Sequence, residues 1–97
     1  MLHVALQEGF DNDNVMMRLN EEPIYESVGV TTDLRISRAD AVDVPLREGR
    51  LRLSVSLPDR DLSGSLVIQG TNTIYVGVSV QSDAVEFTVS DRPFGYM

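Results

Sequence analysis

Asp11-Asn12-Asp13-Asn14 places four oxygen-bearing side chains in a row, the donor chemistry that a hard cation such as calcium requires. Asp11 and Asp13 would be the metal-binding carboxylates. The run departs from the calcium-loop pattern: Val15 stands where a third oxygen ligand belongs, no Gly follows, and no acidic residue closes the loop at the right distance. Asp and Asn also serve turns, because they tolerate left-handed backbone and hydrogen-bond to the local chain. Turn chemistry is the preferred reading of these four residues.

Other reactive chemistry is reached by elimination. The sequence has no Cys, no Lys and a single His, so it offers no thiolate, no Schiff base, no phosphate-loop lysine and no pair of His ligands. A Ser-His-Asp triad would have to use His3, on a strand next to the N-terminus, where chains tend to fray. A partly exposed strand residue is the plainer expectation. Asp59 with Asp61, or Asp11 with Asp13, could act as general acid and base, but neighbouring turn carboxylates are usually solvated and keep similar acidities. No enzymatic activity and no cofactor are expected. Arg18, Arg50 and Arg52 fall on the polar faces of their strands, where cross-strand pairing with the abundant acids accounts for them.

Binding chemistry is read from the aromatics. Phe94 and Tyr96 lie beyond the last strand, where Pro93 and Gly95 end regular pairing. Such a tail either folds back over the core, the preferred reading, or presents anchors to a partner. Tyr25 belongs to a β-rich stretch, Ile24 to Val30, whose one charge is Glu26.

The elements that position these groups are strands. Leu51, Leu53, Val55 and Leu57 alternate with Arg50, Arg52, Ser54 and Ser56, and Ile74, Val76, Val78 and Val80 repeat the pattern. Leu62 to Ile68 and Val85 to Val89 alternate as well. Short turn-forming segments at 58–61, 69–72 and 81–83 separate the four runs and favour antiparallel hairpins. In the first half, Val4 to Glu8, then Val15, Met17 and Leu19, then Ile24 to Val30, then Val42, Val44 and Leu46 read as further strands. Pro45, inside the last of these, would place it at a sheet edge or give it a bulge. Ser37 to Ala41 is the one segment with a helical turn's character, Ser37 being its cap. Leu66 to Val80, β-branched and uncharged, reads as a central hairpin. The fold class is all-β, an antiparallel β-sandwich of seven to eight strands, and the 97 residues form one domain.

Asn20-Glu21-Glu22-Pro23-Ile24, then Arg47-Glu48-Gly49-Arg50-Leu51-Arg52-Leu53, then Gly70-Thr71-Asn72-Thr73-Ile74-Tyr75-Val76 resemble the punctuation of small bacterial surface sandwiches of the PEGA type and their transthyretin-like relatives. The resemblance covers about half of the chain and lacks the glycine of the first hairpin. It implies the architecture and a non-enzymatic adaptor or surface role, with no functional residue carried over.

Fifteen acidic against eight basic residues give a net charge of −7, which repels phosphate backbones, so nucleic acid is not expected as a partner. The longest uncharged run, 62–82, is too polar to span a membrane. Met1 to Glu8 has neither the basic nor the apolar region of a secretory signal, so the protein is expected in the cytoplasm, or as a mature exported domain after loss of a leader. The function expected is a non-catalytic protein-interaction or assembly module. The alternative is a carbohydrate-binding accessory domain, calcium-dependent if Asp11 and Asp13 bind metal. A second copy is the expected partner if the edge from Ile24 to Val30 pairs in a symmetric dimer with Tyr25 near the contact.

Overall fold

The computed structural model describes residues 1–36, 38–46, 48–69 and 73–94. Among them the regular elements are eight strands and one 3-10 turn: β1 (Leu2–Leu6), β2 (Asp13–Leu19), β3 (Glu22–Val30), β4 (Asp40–Val44), β5 (Arg50–Leu57), the turn Pro58–Arg60, β6 (Leu62–Gln69), β7 (Ile74–Gln81) and β8 (Ala84–Ser90). They form two four-stranded sheets, ordered β4-β1-β7-β8 and β3-β2-β5-β6. The all-β expectation holds, and the strand count is eight.

Alternation explains which side chains are inside. Leu51, Leu53, Val55 and Leu57 of β5 are buried while Arg50 and Arg52 are exposed, and Val15, Met17 and Leu19 of β2 repeat the pattern. One buried apolar cluster takes these residues together with Leu2, Val4 and Leu6 of β1 and Val76, Val78 and Val80 of β7, so both sheets contribute to a single core. Gly64 of β6 has Val85 and Phe87 of β8 within 3.1 Å of where a Cβ would stand, which brings those two edge strands close.

Pairing departs from the expected topology in three places. First, β1 runs parallel to β7, with Leu2 opposite Ile74 and Leu6 opposite Val78, so this sheet is mixed and not wholly antiparallel. Strands far apart in sequence can meet in either direction, whereas neighbouring strands in one sheet that are joined by a short loop must run antiparallel. Second, Leu66 to Val80 is not a hairpin. β6 pairs β5 at the edge of one sheet, and β7 lies between β1 and β8 in the other. The chain crosses between sheets at the connection read as a turn, of which residues 70–72 lie outside the described residues. Third, the segment Ser37 to Ala41 holds no helical turn in its described part. Asp33 bridges Arg38, Ala39 N donates to Leu6 O at 2.7 Å, and β4 starts at Asp40, because the unpaired side of β1 supplies partners that a lone helical turn lacks. Ser37 itself lies outside the described residues.

Local chemistry sets the remaining turns. Asn20 and Glu21 both have positive φ, 49° and 69°, and join β2 to β3 as a two-residue hairpin of the type I′ sense without the glycine such turns favour. Asn20 compensates by bonding Arg52 of β5 through its backbone N–H (2.9 Å) and its side-chain oxygen (2.8 Å). Pro45 follows the last residue of β4, which is an edge strand as expected. At Gly9, φ is 89° and a Cβ would stand 1.9 Å from Val80 O, so glycine alone lets the chain leave β1 this close to β7.

Candidate functional site

The site with the most chemistry lies on the side of the β4-β1-β7-β8 sheet turned away from the core. In β1, Leu2 and Val4 point into the apolar cluster, so His3 must face outward. Register places Asp43 of β4 and Tyr75 of β7 directly beside it. His3 Nδ1 and Asp43 Oδ1 are 2.5 Å apart, and the imidazole stacks on the Tyr75 ring with centroids 4.6 Å apart and planes 14° from parallel. A neutral imidazole that donates from Nδ1 to the carboxylate keeps an acceptor lone pair on Nε2, while stacking fixes the ring plane.

A cavity of about 260 Å³ opens here, with His3, Tyr75, Phe94, Pro93, Arg38 and Asp43 among its walls. Ala5 and Ala41 also line it, and small side chains leave its base low. No Ser, Thr or Cys is among its described lining residues. The arrangement can receive a flat or elongated side chain against the rings and meet a polar tip with Asp43 or His3.

Phe94 is half-buried in this wall, on the outer side of the sheet and not over the core. Tyr96 lies outside the described residues. Asp43 and Tyr75 escaped sequence reasoning because the contact depends on cross-strand register. Period-two alternation in β7 turns Tyr75 away from the core, but nothing local to β7 says which strand lies beside it.

Tyr25 stands on β3, an edge strand as expected, but it closes the space toward the edge of the other sheet. Its hydroxyl donates to Asp40 Oδ2 of β4 at 2.7 Å. Burial, and then the hydrogen bond to Asp40, push the phenol up to about 12 from 10.0. The unfolded chain releases this proton at lower pH than the folded one, so between about pH 10 and 12 the folded state binds more protons and stability falls as pH rises. In an absorbance titration at 295 nm, a late-ionising step is expected and should vanish in Tyr25→Phe. If all tyrosines titrate together near the ordinary value, the Tyr25–Asp40 bond does not persist in solution.

Asp11 and Asp13 do not form a matched pair of open ligands. Asp13 is buried, and Arg60 Nε and Nη2 donate to its Oδ1 and Oδ2 at 2.8 and 2.7 Å. The backbone N–H of Asp11 donates to Asp13 Oδ2 at 2.9 Å, and Asn12 takes a positive φ of 52°, both turn chemistry. Arg60 Nη2 also donates to Gly9 O at 3.0 Å, so the guanidinium ties three segments together. Among the described residues no group of three His, Asp or Glu side chains is assembled to hold a metal ion.

No protein-family model matches the chain, and it matches no curated protein and no solved structure. No helix among the described residues is long and apolar enough to cross a membrane.

Proposed function

We propose that this chain is a non-catalytic protein-interaction module, a β-sandwich similar in architecture to the PEGA and transthyretin-like modules, that binds its partner on the outer face around His3, Tyr75 and Phe94. The cavity of about 260 Å³ walled by these three rings is the observation that carries the reading. Buried aromatic anchors dominate interface energies, and a pocket that already holds ordered rings receives one at small entropic cost. The sandwich is supported by the core that both sheets share. The calcium-dependent carbohydrate alternative rests on Asp11 and Asp13, and the Arg60 contacts of Asp13 speak against it.

Selection of a random peptide display library on the immobilised protein tests the proposal. Enriched peptides should lose about 10-fold or more in affinity against Tyr75→Ala, as a hot-spot residue requires, and bind Val28→Ser unchanged. Val28 is a fair control, being exposed on β3 of the other sheet. Peptides that bind Tyr75→Ala as well as the parent, or failure to enrich any, would remove this face from consideration.

A further inference from the structure

Leu34 is the most open of the large apolar side chains among the described residues, at 88% exposure. A single exposed leucine is ordinary on a surface, but this one is held on an ordered turn. Asp33 Oδ1 accepts from Arg35 N and Nε at 3.0 and 3.1 Å, and Oδ2 accepts from Nη2 at 2.9 Å. Ile36 N donates to Asp33 O at 3.2 Å, and Asp33 N donates to Arg38 O at 3.0 Å. The Arg35 guanidinium holds the Asp33 carboxyl below its ordinary range, so the clasp stays charged in mildly acidic solution. An apolar knob on a pre-ordered turn gives up little entropy on docking.

The connection that carries Leu34 is tied to one end of the sheets, through Ala39 N to Leu6 O and Thr32 N to Phe10 O. At the opposite end, where β1 begins with Leu2 beside Val44, a cleft of about 270 Å³ is lined by Leu19, Pro23, Ile24, Val44, Pro45 and Leu51. It has room for a leucine side chain. Glu22 shares its wall, and the neighbouring Glu21 is exposed. Arg35 is 89% exposed and has N–H groups beyond the two it gives Asp33. An apolar knob flanked by a guanidinium therefore has a counterpart in an apolar cleft flanked by carboxylates.

We propose that Leu34 of one copy docks in this cleft of the next, so that copies of the chain associate head to tail. The surface is distinct from the face around His3. Knob and cleft sit at opposite ends, so no copy can fill its own cleft, and the contact is heterologous, adding copies beyond two into an open row or a closed ring. A contact this small is weak, with a Kd on the order of 10⁻⁴ to 10⁻³ M.

Sedimentation equilibrium from about 10 μM to about 1 mM, spanning the expected Kd, tests the proposal. The weight-average mass should climb with concentration past two copies. Leu34→Ser and, independently, Glu22→Arg should each weaken association, the first by about 10-fold or more, as the loss of a buried leucine implies. Both positions are exposed, so each variant should keep the parent's melting temperature. A monomer mass persisting to about 1 mM, the weak end of the expected range of Kd, where association would already be half developed, overturns the proposal, as does a plateau at two copies, which an edge-paired symmetric dimer would give, or association unchanged in Leu34→Ser.

Discussion

Val78→Asp is expected to unfold the protein. Val78 is fully buried in β7, between Leu6 of β1 and Phe87 of β8 in register, and its side chain belongs to the shared core. A carboxylate there loses its hydration with no cation beside it, and a group so placed costs several kcal/mol even when it stays protonated. Domains of this size hold roughly 5–15 kcal/mol in total, so one such substitution removes most of the margin. Far-ultraviolet circular dichroism should lose its strand signal, or the melting temperature should fall by about 15 °C or more, given a shift of several degrees per kcal/mol. Val67→Asp on the edge strand β6, where the side chain is 46% exposed, should change stability little. A Val78→Asp protein that melts within a degree or two of the parent would contradict the placement of β7 at the centre of its sheet.

The second large effect is expected at Arg60. Its guanidinium meets Asp13 through two hydrogen bonds, and Asp13 is only 4% exposed while the Arg60 side chain is 33% exposed. Arg60→Met leaves a buried carboxylate without its cation, which should cost about 3–5 kcal/mol in a urea melt. Asp13→Leu strands the arginine instead and should cost less, because that partly exposed side chain can turn toward water. The double variant should recover much of the loss, since an apolar pair of similar volume can replace a buried ion pair at little net cost. Equal and additive losses would show that the two residues do not act as a pair. The same geometry predicts that millimolar calcium leaves the parent's melting temperature unchanged, because the carboxylate of Asp13 already faces a cation. A calcium-dependent rise would restore Asp11 and Asp13 as ligands, by linkage.

Much of the fold is legible in the chain itself. A side chain's face on a strand is a local property with a period of two, so the alternation through β5 and β7 names their core residues without knowledge of any neighbour. Pro45, read as lying within the fourth strand, instead ends it: β4 stops at Val44 and is an edge strand. The turn at Asp11 and Asn12 is legible as a local property too, since its hydrogen bond from Asp11 N to Asp13 spans two residues, although Asp13 and Asn14 already belong to β2.

Tertiary structure decided which strands are neighbours. A period-two run looks the same whether the next strand pairs with it or crosses to the other sheet, so Leu66 to Val80 resembled a hairpin although β6 and β7 belong to different sheets. The parallel pairing of β1 with β7 carries no local mark, because it joins residues more than seventy positions apart. Both polar clusters inherit that ignorance. His3 finds Asp43 forty positions away, and Asp13 finds Arg60 forty-seven away. The sequence by itself determined the all-β class, the inward faces of β2, β5 and β7 and the absence of thiol and lysine chemistry, while the first strand begins two residues earlier than its alternation suggests and the fourth ends before Pro45. The order of strands, and with it the ring-walled cavity, the ion pair and the opposed positions of Leu34 and its cleft, came from long-range packing, because a β-sheet makes its specific contacts between strands and not along them.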